Sequence, residues 1–386
     1  MKCLSTKATS IKPSGIRKFF DLASTMEGVI SLGVGEPDFA TPWHICENAI
    51  HYMSTGHTHY TANRGLLELR EEICKFHKEH YNQVYYPENE VIVTIGGSEA
   101  IDLCMRALLN PGDEVIVLDP NYVAYAPSVI LSDGVVVPLK LREENDFKIL
   151  PEDLKKVITP KTKAMIINYP SNPTGGVMTK EDYAKIIDII KESGIYVISD
   201  EIYAELSFDQ PFASLAQFDE IKSQIIVVNG FSKAYAMTGW RLGYCMANKE
   251  LSSVMNKIHQ YVIMSAPVMS QYAGIEAIKN GYNDVLMMKD DYLKRRNFLV
   301  NRLNRMGLKT NMPHGTFYVF CNIQSTGLDS ETFCERLLQE QKVACVPGNA
   351  FGDSGEGYVR ISYAYSIDHI KEAVVRLEQF LKDLEN

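Results

Sequence analysis

The chain has 386 residues, 46% of them hydrophobic, which is enough to bury a large core and excludes a disordered tail or a disulfide-stapled mini-domain. Thirty-nine basic against 48 acidic residues leave a net charge of -9, so nothing draws the whole chain to nucleic acid or to an anionic membrane. The eight cysteines, at 3, 46, 74, 104, 245, 321, 334 and 345, form no CxxC pair and read as reduced thiols of a cytoplasmic protein, with no metal site expected.

The opening MKCLSTKATSIKPSG lacks the apolar run of a secretory signal, and no stretch of about 18 apolar residues follows anywhere, so neither secretion nor membrane spanning is expected. Leu66, Leu69, Ile73 and Phe76 fall at helix spacing. Val91 to Ile95 reads as a strand entering the turn Gly96-Gly97 and a helix through Leu109. Further buried strands are Val115 to Leu118, Ala164 to Ile167, Tyr196 to Ser199, Ile225 to Val228 and Leu242 to Met246. One intervening helix is marked at both ends. Thr179 to Asp182 has capping-box spacing, Tyr183, Ile186, Ile187 and Ile190 form its stripe, and Gly194 can end it.

This alternation predicts an α/β domain with a mostly parallel sheet. A helical passage at 276–306 leads to strands at Phe317 to Phe320 and Tyr358 to Tyr363, separated by a helix at 331–340. A last helix carries Ile370, Val374, Leu377 and Leu381 on one stripe, which together suggests a smaller α+β domain. The expected organisation is a segment 1–50 that joins the small domain and covers the site, a large domain 51–285, and a connecting helix with the small domain at 286–386.

Polar residues collect after the strands, where open α/β sheets form their ligand crevice. Gly96-Gly97-Ser98 suits either a tight turn or a phosphate cradle at a helix start. Asp200, with Glu201 and Tyr203 beyond it, could cap a helix or pair with a cationic ring nitrogen. Asn172 lies in the turn-forming run Ser171-Asn172-Pro173-Thr174-Gly175. Lys233, after Asn229-Gly230-Phe231-Ser232, is either a surface lysine or an amine that forms a Schiff base with an aldehyde and carries a proton. Arg241 could clamp a phosphate or pair with a nearby acid. Arg360, inside the apolar run Tyr358 to Ser362, calls for an anion, either a structural partner or a bound carboxylate.

SLGVGEPDF at 31–39, HYTANRGLLELR at 59–70, SNPTG at 171–175, SDEIY at 199–203, NGFSKAYAMTGWRLGY at 229–244 and GEGYVRISYA at 355–364 are distributed along essentially the whole chain. In this order they make the sequence resemble the class I/II aminotransferases of the aspartate aminotransferase superfamily, which are pyridoxal 5'-phosphate enzymes of fold type I. The resemblance implies that Lys233 binds the cofactor covalently and that Asp200 keeps its pyridine nitrogen protonated. It also implies that Tyr203 and Asn172 bond its phenolic oxygen, that the Gly97 amide region, Ser98, Ser232 and Arg241 hold its phosphate, and that Tyr122 stacks on its ring. Arg360 is then the α-carboxylate site, Gly35 the close-approach glycine beside the substrate, and Tyr60 reaches the phosphate of the partner subunit's site in a homodimer. Two departures stand out: Tyr122 replaces the tryptophan of many relatives, and Gly230 the phosphate-binding serine of some.

The activity so implied is ping-pong transfer of an amino group to 2-oxoglutarate, with an aromatic amino acid or aspartate as donor and a 2-oxo acid as product. The same motifs resemble N-acetyl-diaminopimelate aminotransferases, and a cystathionine β-lyase-like C–S lyase would use the same lysine. A non-catalytic regulator on this fold is the remaining alternative, disfavoured because residues 1–30 are too short for a DNA-binding domain.

Overall fold

A computed structural model of the chain describes residues 2–11 and 26–384; part of the expected N-terminal segment, 12–25, lies outside them. A seven-stranded sheet forms the larger domain, from β2 (Val91–Thr94), β3 (Glu114–Asp119), β4 (Val135–Lys140), β5 (Thr162–Asn168), β6 (Tyr196–Asp200), β7 (Ile225–Gly230) and β8 (Gly243–Met246). Their order is β2-β8-β7-β6-β5-β3-β4. β8 is antiparallel to both neighbours and all other pairs are parallel. Because β2 and β7 both oppose β8, they run the same way. The carboxyl ends of β2, β3, β5, β6 and β7 therefore open on one edge, together with the amino end of β8.

The near-continuous apolar strands follow from burial on both faces. Val91, Val93, Met165, Val197 and Val227 pack into one core, and the alternate residues Ile92, Ala164, Ile166, Ile198 and Val228 into another. Each fully buried Val or Ile there stabilises the fold by about 1.5–3 kcal/mol. β4 escapes the sequence pattern because it is an edge strand whose only fully buried side chain is Leu139, and its Pro138 is tolerated at an edge.

Two predicted helices are each divided. The capping box at Thr179 and Asp182 forms and Gly194 ends the passage at φ +67, yet the helices are Lys180–Ala184 and Ile187–Ser193. Between them the amides of Lys185 and Ile186 bond carbonyls three residues back, a tighter turn than an α-helix makes. The passage at 276–306 is helix Val268–Asn280 meeting Tyr282–Arg305 at Gly281, where a Cβ would lie 2.7 Å from the Ala277 carbonyl oxygen.

In the smaller domain, β9 (Tyr318–Asn322), β11 (Val346–Pro347) and β12 (Tyr358–Ser362) form an antiparallel sheet in the order β11-β12-β9. β1 (Ile30–Ser31) pairs in parallel with β10 (Val343–Ala344), two strands too short to show in the sequence. Helix Ile367–Leu384 buries Phe380 rather than Leu381, with the Phe380 ring edge-on to Phe333 at 5.4 Å. All eight cysteines are free thiols. No helix among the described residues is long and apolar enough to cross a membrane.

Candidate active site

The common edge of the strands opens into a cavity of about 620 Å³. Gly35, Gly97, Ser98, Tyr122, Asn172, Asp200, Tyr203, Ser232, Lys233, Arg241 and Arg360 all line it. Tyr60 does not: it is 84% exposed on the surface.

One end of the cavity is built for an anion. The helix Gly96–Leu108 begins there, its first-turn N–H groups and dipole directed at the opening, with Ser98 and Ser232 beside it. Gly96 sits at φ +73 against Arg241, and a Cβ on it would lie 2.7 Å from the guanidinium. Arg241 itself holds φ +52, uncommon outside glycine, and anchors its guanidinium on the Thr238 carbonyl at 3.0 Å. Glycine at 230 has a packing reason: a Cβ would stand 3.0 Å from Gly243 Cα and from the Leu242 carbonyl.

The cavity also offers a lone carboxylate. Asp200 closes β6 and is buried, accepting hydrogen bonds from the Tyr125 hydroxyl at 2.6 Å and the Ile202 amide at 3.2 Å. No cation among the described residues lies within ion-pair distance of it. Burial pushes its carboxyl above the usual range, against these hydrogen bonds and the more distant Lys233, so a cationic ligand atom is what this position lacks. Tyr125, which sequence reasoning overlooked, stands three residues after Tyr122 and meets it edge-on at 5.5 Å. Its signal was that spacing, indistinguishable from an ordinary core aromatic. Glu201, the neighbouring acid, is fully buried and instead bonds Ser199 and Ser214.

Lys233 lines the same cavity, its amine donating to the Gly35 carbonyl at 2.7 Å. Burial lowers its pKa to about 8; Glu36 opposes that shift, and the Arg360 and Arg241 charges add to it. About a tenth of the amine is then neutral at pH 7, roughly two orders of magnitude more than for an ordinary lysine, which favours it as nucleophile and proton carrier.

Arg360 projects from β12 and is 3% exposed. It donates to Asn172 Oδ1 at 2.9 Å and to the Gly33 carbonyl at 2.7 Å, while its Nε has no partner. No carboxylate among the described residues pairs with it, so a structural salt bridge does not account for it. Asn172 is itself set by its amide donating to Asn168 Oδ1 at 2.9 Å.

A family model for aminotransferase class I and II matches residues 27–377. The chain is 50% identical over 378 residues to the putative aminotransferase YugH of Bacillus subtilis, covering 98% of both chains. It is 44% identical over 383 residues to an aspartate aminotransferase of Pyrococcus abyssi, again covering 98% of both. The crystal structure of an aromatic aminotransferase from Pyrococcus horikoshii OT3 superimposes with a TM-score of 0.91 at 43% identity, covering 96% of this chain and 99% of that one.

Proposed function

This chain belongs to the class I and II aminotransferases, pyridoxal phosphate enzymes of fold type I, and we propose that it moves the amino group of an aromatic amino acid or aspartate to 2-oxoglutarate. The observation that carries this reading is the Lys233 amine sharing one cavity with a helix start suited to an anion, a buried carboxylate with no ion-pair partner among the described residues and a buried guanidinium likewise without one.

That donor set fits the cofactor. The Gly97 region, Ser98, Ser232 and Arg241 hold its phosphate, Tyr122 stacks on its ring and Asp200 pairs with its ring nitrogen, while Tyr203 and Asn172 bond its phenolic oxygen. Pyridoxal phosphate, when bound, supplies an aldehyde that binds amines and a ring that accepts electron density from the α-carbon. With the cofactor bound, Lys233 would be the amine that holds its aldehyde until a donor amino acid arrives, and its freed Nζ would be the base that takes up and returns the substrate's α-proton. Arg360 receives the α-carboxylate of donor and acceptor, and Gly35 leaves room for the substrate beside it. Tyr60, which is 84% exposed in the single chain, would be covered in a homodimer and serve the partner's phosphate site.

Two outcomes follow. Capture of pyridoxal phosphate by the cofactor-free protein requires the neutral amine, so its rate rises about tenfold per pH unit below the Lys233 pKa and levels above about pH 8. Stopped-flow absorbance measures it, and a flat profile from pH 6 to 9 contradicts the assignment. Arg360→Ala removes a buried charge-assisted partner and is expected to lower kcat/KM for amino and oxo acids by about 10²–10³. Unaltered kcat/KM rejects Arg360 as the carboxylate site.

The reading as a whole is tested by single half-reactions of cofactor-loaded protein with aspartate, glutamate, tyrosine, phenylalanine, alanine and a β-thio amino acid, followed by absorbance. Conversion to the pyridoxamine form with release of a 2-oxo acid is expected, fastest with tyrosine, phenylalanine or aspartate. Pyruvate released from the thio substrate without that conversion assigns a lyase instead.

A further inference from the structure

The sequence pattern marks Tyr318 only as a strand residue, yet it lines the cavity, is 1% exposed and touches both halves of the site. Its ring centroid lies 4.2 Å from the Arg360 guanidinium carbon, with Phe351 supplying a second ring at 4.7 Å. Its edge meets the Tyr203 ring at 5.9 Å and 73°, and the two hydroxyls are 3.1 Å apart. Gly35 makes room for it, since a Cβ there would collide with the Tyr318 hydroxyl.

We propose that Tyr318 is a positioning residue, its ring holding the Arg360 guanidinium in the plane that receives the substrate carboxylate and its hydroxyl orienting that of Tyr203. The inference rests on the roles given above to Arg360 and Tyr203. Asn172 and the Gly33 carbonyl fix Arg360 within its plane, and the flat aromatic face limits tilting out of it. A phenol has one proton. If Tyr203 donates its proton to the phenolic oxygen of the cofactor, the 3.1 Å contact must be a donation from Tyr318. That donation makes Tyr203 the stronger donor. Gly35 is then glycine for a second reason, because a methyl group there would displace the hydroxyl that sets Tyr203.

The experiment uses cofactor-loaded enzyme carrying Tyr318→Phe or Tyr318→Leu, with Gly35→Ala in the wild-type and Tyr318→Phe backgrounds. Tyr318→Phe keeps the ring, so KM stays within about twofold of wild type, while the pH midpoint of the bound cofactor's absorbance change rises by several tenths of a unit. Lys233, Arg360 and Tyr122, the groups facing Tyr203, are unchanged in that variant, so the shift reports the lost donor. Tyr318→Leu is expected to raise KM for amino and oxo acids about tenfold, with a smaller fall in kcat. Gly35→Ala is strongly damaging beside Tyr318 and much less so beside phenylalanine. An unmoved midpoint in Tyr318→Phe, an unchanged KM in Tyr318→Leu, or equal Gly35→Ala losses in both backgrounds overturns the proposal. If the wild type neither binds pyridoxal phosphate nor transfers amino groups, the reading of the site fails and this proposal with it. If it does both while the variants match it, only the proposal fails.

Discussion

Lys233→Ala is expected to lower turnover by more than about 10⁴-fold while the protein still binds pyridoxal phosphate without a covalent link. The residue is proposed for two jobs, capture of the aldehyde and proton transfer at the α-carbon, and among the described residues no second lysine lines the cavity to take over either. The anion-binding helix start, Ser98, Arg241 and Asp200 are untouched by the substitution, so retention of cofactor is expected to survive in part. Turnover with saturating donor and acceptor, beside the absorbance of the dialysed protein, measures both effects. Activity within tenfold of wild type would remove Lys233 from the chemistry.

Asp200→Ala has the next largest expected effect, a loss of about 10²–10³ in the half-reaction rate. A buried carboxylate that accepts hydrogen bonds from Tyr125 and Ile202 is the group proposed to stabilise a positive ring nitrogen, and burial strengthens that interaction. Without it a bound ring nitrogen would no longer be held protonated and would draw less electron density from the α-carbon. Single-turnover rates with one donor separate this from weaker cofactor binding when the protein is loaded to saturation. An unchanged rate sinks the role.

Much of this was legible because parallel strands buried on both faces leave uninterrupted apolar runs, and the functional residues come directly after them. Asn172, Asp200 and Lys233 each stand beyond such a run. What the pattern lacks is which loops meet. Arg241 reaches the helix start at Gly96 because β8 is antiparallel and brings its amino end to the shared edge. Edge strand β4 and the two-residue strands β1 and β10 bury too few side chains to leave a period. Tyr125 and Tyr318 were hidden for a different reason: their aromatic bodies satisfy a core pattern, and what separates them from packing residues is the hydroxyl of Tyr125 on Asp200 and, for Tyr318, its hydroxyl on Tyr203 and its ring on Arg360.

The most direct test of the central claim is borohydride reduction of the cofactor-loaded protein before and after addition of a donor amino acid without acceptor, followed by peptide mass mapping. The account predicts a phosphopyridoxyl group on Lys233 before the donor is added and its loss afterwards, as the amino group moves to the cofactor. A group on another lysine, or one on Lys233 that the donor leaves in place, would contradict it.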